Sequence, residues 1–188
     1  MGYAIAEELA RQGAKVSLVS GPVKITAQHP GIEVIKVISA LEMYQQCIRL
    51  FPATDGAVMA AAVADFMPDY SSGQKIKRGD TELQIKLVPT KDIAASLGKM
   101  KTEKQVLVGF ALETNDELAN AQRKLQKKNL DFIVLNSLND PGAGFETDTN
   151  KITIVDKYNN QQDFQLKSKA EVAKDIVLQI TGLMEKER

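Results

Sequence analysis

Residues 105–136 have the sequence QVLVGFALETNDELANAQRKLQKKNLDFIVLN, and this stretch decides the fold class. The two ends, 105–110 and 131–136, are apolar runs without alternation, which is typical of strands buried on both faces of a parallel sheet. The segment 116–129 between them is predicted to be a helix. The order strand, helix, strand is a βαβ unit, and it favours a doubly wound parallel sheet.

The alternation of strand and helix extends toward the start of the chain. We predict a helix over 3–12 that ends at Gly13. Ser39 is expected to open a second helix, with Glu42 three residues later as a capping box. Apolar strands are predicted over 14–19, 32–37 and 56–64. The whole pattern predicts an α/β fold, with a Rossmann-like, mostly parallel sheet and helices on both of its faces.

Two segments interrupt this rhythm. Residues 70–88 are expected to form a flap or hairpin excursion with a strand over 82–87. Residues 151–156 and 162–166 flank Asn159-Asn160 and predict an antiparallel hairpin. Ser168 with Glu171 then caps a final helix. We find no linker or repeat, so residues 1–188 are expected to form one domain.

Composition excludes several functional classes. Apolar residues make up 44% and charged residues 26%, as in ordinary globular proteins, so disorder is excluded. The formal net charge of zero argues against nucleic-acid binding by bulk electrostatics. No apolar run approaches the roughly 18 residues of a membrane helix. Cys47 and His29 are single, which excludes cysteine or histidine metal clusters and disfavours a Ser-His triad; a cytoplasmic location is expected.

The start of the chain departs from the usual pattern. A doubly wound domain normally begins with a strand and a phosphate-binding turn before its first helix. Here the predicted helix 3–12 begins almost at Met1, without a capping residue ahead of it. We therefore expect the chain to be N-terminally shortened.

Ligands of open α/β sheets bind beyond the carboxyl ends of the strands. In this chain that rule selects Ser20 with Gly21, Asp65 with Phe66, Phe110 with Ala111, and Asn136. Asp65 could bind a ribose hydroxyl or a metal-bound water, or it could cap the next turn. Asn136 could donate to a substrate oxygen or satisfy the loop backbone. Phe110 could wall a nucleotide pocket or belong to the core.

Basic residues supply two further candidates. Lys124 and Lys128 are four residues apart and share one helix face, with Arg123 and Lys127 beside them. They could bind a triphosphate or form a solvated basic face. The second group, Lys75-Ile76-Lys77-Arg78, could be a phosphate-covering flap or an exposed edge protected by charge.

Two specific nucleotide signatures, the dinucleotide-binding fingerprint with its acidic strand end and the Walker A motif, are absent from the sequence. There is no G-x-G-x-x-G, no acidic residue ends the strand at 14–19, and no Walker A motif occurs. The residues alone predict no more than an α/β domain, for which nucleotide binding is a hypothesis.

An ordered set of segments adds a family resemblance. These segments are MGYAIAEELARQGAKVSLVSGP (1–22), AAAVADFMP (60–68), KIKR (75–78), GFALET (109–114), the lysines at 124 and 128, IVLN (133–136) and GFETDTNKITIV (144–155). The set resembles bacterial phosphopantothenoylcysteine synthetase, the CTP-dependent ligase of coenzyme A biosynthesis, over nearly the whole chain. In many bacteria this enzyme is the C-terminal half of a bifunctional protein whose other half is a flavin-dependent decarboxylase.

The resemblance implies a reaction and its partners. The carboxylate of 4′-phosphopantothenate attacks CTP, an acyl-cytidylate forms, and the amine of L-cysteine displaces CMP. Lysines and Mg²⁺ would neutralise the triphosphate, with metal ligands that the sequence leaves unknown. FMN would belong only to a fused decarboxylase half. The family is dimeric, so a homodimer is expected, without nucleic-acid or membrane partners.

The resemblance also implies the site residues. Lys75 in the flap would assist conversion of the acyl-cytidylate, and further substrate contacts are possible at Gly2, Ala62 and Asn136. CTP would be bound by Met59, Ala60, Ala61, Asp65, Lys75, Lys91, Asp92, Ile93, Ala94, Phe110, Lys124 and Lys128.

The chain departs from the family pattern at three places. Lys91 stands where proline is usual, and Ser137 stands where Asp commonly follows the Asn. The family's strand, Gly/Thr-rich turn and Asn-x-Ser-Ser-Gly-Lys segment would precede Met1.

Two alternative functions remain open. They are a non-catalytic nucleotide-binding domain and an NAD(P)-dependent Rossmann oxidoreductase.

Overall fold

The structure, a computed structural model, describes residues 1–70, 72–77, 82–113, 117–137 and 148–186. Its helices are α1 (Gly2–Arg11), α2 (Ala40–Leu50), α3 (Ile93–Met100), α4 (Glu117–Lys127) and α5 (Lys169–Lys186). Its strands are β1 (Val16–Ser20), β2 (Ile32–Lys36), β3 (Gly56–Met59), β4 (Phe66–Pro68), β5 (Leu87–Pro89), β6 (Val106–Glu113), β7 (Phe132–Ser137), β8 (Thr149–Asn150), β9 (Ile152–Asp156), β10 (Gln161–Asp163) and β11 (Lys167–Ser168). The chain is therefore an α/β fold, as the sequence predicts.

The central sheet has the strand order β10-β9-β7-β6-β3. Strands β3, β6 and β7 are parallel, and β9 and β10 continue the sheet in antiparallel orientation. Strands β1 and β2 form a separate parallel pair. Within the described ranges, β1 is paired only with β2 and β3 only with β6, so each has one edge without a strand.

Two apolar cores lie on the two faces of the central sheet. Helices α1 and α5 pack on one face, around the buried side chains of Val108, Phe132 and Val134. Helices α2, α3 and α4 pack on the other, around Leu107 and Ile133. Neighbouring residues of β6 and β7 face opposite cores because strand side chains alternate. This confirms the predicted sheet with helices on both faces.

The predicted helix starts are confirmed by their caps. The Ser39 hydroxyl accepts a hydrogen bond from the Glu42 amide at 3.2 Å, and the Glu42 carboxylate accepts from the Ile38 amide at 2.8 Å. At α5 the capping box closes in both directions: Ser168 accepts from the Glu171 amide, and its own amide donates to the Glu171 carboxylate.

Two strand predictions are wrong in extent. The strand predicted over 56–64 ends at Met59, and residues 61–62 and 64–65 are exposed. An alanine-rich segment has low strand propensity, and among the described strands β3 pairs with β6 alone. The strand predicted over 82–87 is absent before Leu87, where pairing with Pro68 begins. Alternation of apolar and polar residues is typical of a strand, but a strand forms only where a neighbouring strand can pair with it. The C-terminal hairpin is confirmed, with Asn159 at a φ of 65° in its turn.

The amino ends of β6 and β7 are held together by a buried carboxylate. Asp131 is 3% exposed, and it accepts a hydrogen bond from the Leu107 amide at 2.8 Å. Its carboxylate also pairs with Lys101 at 2.8 Å and Lys157 at 3.3 Å. This buried charge is tolerated because it is paired and hydrogen-bonded, and its contacts join the amino ends of the two strands.

Candidate nucleotide and substrate site

Helix α1 begins between the carboxyl ends of β1 and β3. The Tyr3 hydroxyl donates to the Ser20 hydroxyl at 3.0 Å, at the end of β1. A Cβ on Gly2 would lie 3.7 Å from the Cβ of Ala60, the first residue after β3. The structure therefore brings Gly2 and Ala60 together, and both were predicted to contact ligands.

Phe110 and Asn136 lie on the face of the sheet that α1 and α5 cover. Phe110 is partly buried and packs against that core. Asn136 follows Val134 by two residues in β7, so it lies on the same face near the strand end. Its Oδ1 accepts a hydrogen bond from the Nδ2 of Asn150 at 3.0 Å. Asn150 is 2% exposed.

On the opposite face, an ion pair joins the segment before α3 to α4. The Lys128 Nζ lies 3.0 Å from Oδ2 of Asp92. The other Asp92 oxygen caps α3 by accepting from the Ala95 amide at 3.0 Å. Partial burial alone would raise the pKa of Asp92, but the Ala95 amide and the Lys128 ammonium outweigh it and hold the pKa below its ordinary value. Asp92 is therefore ionised at neutral pH and orients Lys128.

The residues on either side of Asp92 have different surroundings. The Lys91 ammonium lies 4.8 Å from the centroid of the Tyr44 ring, a cation–π contact that links α2 to the start of α3. Ile93 is 5% exposed and packs in the core between the sheet and helices α2, α3 and α4. Ala94 is half-buried, and Met59 packs against the same core at the end of β3.

The loop after β3 is tied to this segment through Thr90. The Thr90 hydroxyl donates to the carbonyl of Ala64 at 2.7 Å, and its amide donates to the carbonyl of Asp65 at 2.9 Å. Asp65 is exposed, and within the described residues no capping bond from its carboxylate is present. The residues before it, Ala61 and Ala62, are exposed as well.

The remaining basic candidates lie at different places. Lys75 is exposed on the segment 72–77, whereas Arg78 lies outside the described residues. Lys124 is half-buried on α4, one turn before Lys128. The structure therefore brings together Asp92, Lys128 and the loop that carries Asp65, and separately Gly2 and Ala60.

Asn150 and Tyr44 were not anticipated as site residues. Tyr44 is one residue of an ordinary amphipathic helix, and 47 positions separate it from Lys91, so no local pattern links them. Asn150 could have been noticed as a polar residue before an apolar strand. Across the described ranges, no cluster of three or more His, Cys, Asp or Glu side chains is placed to hold a metal ion. None of the helices in those ranges has the length and apolar character needed to cross a membrane.

Comparison with known proteins assigns the chain to a family. The family described as the DNA/pantothenate metabolism flavoprotein C-terminal domain matches residues 1–184. The chain belongs to this family. The C-terminal domain of the coenzyme A biosynthesis bifunctional protein CoaBC has a crystal structure that matches 98% of this chain and 82% of that chain, with a TM-score of 0.82 and 34% identity. This agreement confirms the fold class.

Curated relatives of the family domain are longer than this chain. CoaBC of Bacillus subtilis (strain 168) is 41% identical over 97% of the chain and 45% of its own length. A cysteine/cysteine sulfinic acid decarboxylase from an unknown prokaryotic organism is 56% identical over 98% of the chain and 51% of its own length. The chain thus spans about half the length of these relatives.

Proposed function

We propose that the chain is the ligase domain that joins 4′-phosphopantothenate to L-cysteine through an acyl-cytidylate formed from CTP. The observation that carries the proposal is its membership of the CoaBC C-terminal domain family over residues 1–184. The Asp92–Lys128 pair supports it, because Thr90 ties the segment before α3 to the loop after β3, and a cation beside that segment would neutralise the phosphates of a nucleotide bound next to the loop.

The chemistry explains why such a site needs cations rather than a histidine. The substrate carboxylate attacks the α-phosphorus of CTP, the bond to the β-phosphate oxygen breaks, and pyrophosphate leaves with the electron pair. The amine of cysteine then attacks the acyl carbon, CMP leaves, and the amine loses a proton. The first step concentrates negative charge on phosphate oxygens, so positive side chains stabilise it.

The proposed CTP residues divide by the part of the nucleotide that they would contact. Lys124 and Lys128 would bind the triphosphate, with Asp92 orienting Lys128. Asp65 would accept from the ribose or from a metal-bound water, and Phe110 would wall the pocket. The backbone of Met59, Ala60, Ala61 and Lys91–Ala94 would line the nucleotide. Lys75 would approach from its exposed segment and neutralise charge on the acyl-cytidylate.

Mg²⁺ would enter with CTP. This ion is usually held by one or two carboxylates together with substrate phosphates and water, rather than by an all-protein cage. An exposed carboxylate such as Asp65 fits that role. When bound, the ion would add positive charge to the triphosphate and so stabilise the departing pyrophosphate.

The proposed homodimer is supported by an exposed apolar arm. Strands β4 and β5 and the segment 82–86 carry side chains that are largely exposed: Phe66 58%, Leu83 65%, Ile85 62% and Leu87 55%. Exposed apolar side chains concentrated on one arm are typical of an interface. We propose that a second copy of the chain covers it. Sedimentation equilibrium should give a dimer, and replacing Leu83 and Ile85 by Ser should give a monomer.

We also propose that the domain works as part of a longer cytoplasmic polypeptide. Its relatives are about twice its length, and FMN would be bound only by a fused decarboxylase half. Strands β1 and β3 each have an edge that no other described strand pairs with, which supports an additional strand beside them.

The decisive experiment follows pyrophosphate release in the full-length protein. Release should require both CTP and 4′-phosphopantothenate, and adding L-cysteine should yield CMP and the amide product by mass spectrometry. Binding of ATP or NADPH in preference to CTP would favour the alternatives of a general nucleotide-binding domain or an oxidoreductase. CO₂ release from cysteine by this domain without CTP would instead support the reaction that names its 56% identical relative.

A further inference from the structure

Asn136, at the end of β7, and Asn150, in β8, are joined in a short series of hydrogen bonds. The backbone amide of Lys151 donates to Oδ1 of Asn150 at 3.1 Å. The Nδ2 of Asn150 donates to Oδ1 of Asn136 at 3.0 Å. Asn150 is 2% exposed, whereas Asn136 is half-buried at the carboxyl end of its strand. These two hydrogen bonds thus connect the Lys151 amide, through Asn150, to the side chain of Asn136 at the candidate site.

The direction of both bonds follows from the first donor. A backbone N–H can only donate, so the atom of Asn150 that faces Lys151 must be its oxygen. Its NH₂ group therefore faces Asn136, which must in turn offer its own oxygen. The NH₂ group of Asn136 is then left as the part of the side chain available to a ligand.

We propose that Asn150 is a positioning residue that makes Asn136 a hydrogen-bond donor to an anionic oxygen of the substrate. The proposal rests on the proposed ligase function. Asn136 lies on the α1 face of the sheet together with Phe110, which would wall the nucleotide pocket. Lys124 and Lys128, which would bind the triphosphate, come instead from α4 and its C-terminal end on the other face. We therefore assign the oxygen to 4′-phosphopantothenate, through its carboxylate or its phosphate, rather than to the triphosphate of CTP.

A buried Asn that only completes the local backbone would behave differently. Its loss would lower stability, and its effect on activity would not depend on residue 136. A residue that acts through Asn136 must lose its effect on substrate binding once Asn136 is gone. A double-mutant cycle distinguishes these cases.

The test uses Asn136→Ala, Asn150→Ala and the double variant in the full-length protein. Asn150→Ala should raise KM for 4′-phosphopantothenate about tenfold, as expected for one hydrogen bond to a charged group, and leave KM for CTP within about twofold. In the Asn136→Ala background the same change should alter KM less than about twofold. An equal factor in both backgrounds, or a rise in KM confined to CTP, would overturn the proposal.

A measurement on the unsubstituted protein decides the case if Asn150→Ala does not fold. Side-chain amide spectra of ¹⁵N-labelled protein should show slow exchange with water for the Asn150 NH₂ group and fast exchange for that of Asn136. Adding 4′-phosphopantothenate should shift the Asn136 signals and slow their exchange. The reverse pattern in the ligand-free protein contradicts the assignment. Absence of product from the unsubstituted enzyme would count against the ligase function alone, because the ligand-free spectra test the amide orientation separately.

Discussion

The carbonyl oxygen of Lys128 lies so close to Gly98 that a Cβ at position 98 would come within 1.9 Å of it. The C-terminal end of α4 therefore packs closely against α3. The Asn129 side chain stabilises this packing by donating a hydrogen bond to the Gly98 carbonyl at 2.9 Å. The position of Lys128, and hence its pairing with Asp92, therefore depends on the absence of a side chain at 98.

Gly98→Ala should destabilise the fold and displace Lys128. Overpacking of this kind costs about 2 kcal/mol or more, which outweighs the better helix propensity of alanine. Gly182→Ala in α5 is the matched control, because nothing lies within 4 Å of a Cβ there. Gly182→Ala should raise the free energy of unfolding by about 0.5–1 kcal/mol. Urea unfolding of both variants is the measurement, and equal effects would show that α3 and α4 can separate freely.

Replacing Lys124 and Lys128 together by Ala should weaken CTP binding by roughly 2–4 kcal/mol, at about 1–2 kcal/mol for each charge-assisted contact. Titration calorimetry with CTP and Mg²⁺ measures this. Replacing Arg123 and Lys127 by Ala removes the same charge from the same helix and should change affinity far less. Equal losses from both pairs would mean that only the general charge of α4 matters.

Asp65→Asn should reduce ligase activity much more than stability. The substitution keeps the size of the side chain and removes its charge, and the exposed carboxylate caps nothing within the described residues. Steady-state rates and the melting temperature should be measured on the full-length protein. A variant with normal rates would leave Asp65 without a role in CTP binding.

The 188-residue chain by itself should bind CTP with Mg²⁺ but release little pyrophosphate with 4′-phosphopantothenate. The proposed CTP residues lie within 59–128, whereas the resemblance places the phosphopantothenate segment before Met1. Calorimetry and a pyrophosphate assay on the chain and on a longer form that includes the upstream segment test this. Full ligation by the 188 residues alone would refute the proposed need for that segment.

The Asp92–Lys128 pair gives stability a defined pH dependence. The pKa of Asp92 is lowered in the folded state. Its ionisation therefore stabilises the fold above the unfolded-state pKa of about 4, and this stabilisation is lost as the pH falls through the lower folded value. Asp92→Asn, which keeps the cap, should be less stable than the original protein near pH 7 and equally stable near pH 2. Urea unfolding at several pH values measures the difference, and a constant difference would contradict the ion pair.

The parts of the fold that were predictable are those with local signals. The βαβ unit at 105–136 combines apolar runs with a helix of sufficient length, and the boxes at Ser39 and Ser168 each depend on residues three positions apart. The end of β3 before residues 60–64 could not be predicted from the sequence, because the length of a strand depends on the strands with which it pairs.

The candidate site was predictable as an edge of the sheet but not as a set of contacts. Strand ends selected Asp65, Phe110 and Asn136 by position alone. Lys91 contacts Tyr44, and Asn136 contacts Asn150. Each partner belongs to a different element of the fold, so both contacts were found only in the structure. Their roles in binding stay predictions for the experiments above.

Strand β10 forms one outer edge of the central sheet, and all three of its residues are exposed. Hydrogen bonds from the Thr153 hydroxyl and the Gln161 amide hold the pKa of Asp163, on this strand, below its ordinary value. The edge therefore keeps a negative charge in mildly acidic solution, where other carboxylates begin to lose theirs. Charge on an edge strand opposes the addition of a strand from another molecule. Acid-induced aggregates of this protein should consequently grow from other surfaces, and Asp163→Asn should open this edge to fibril-like stacking.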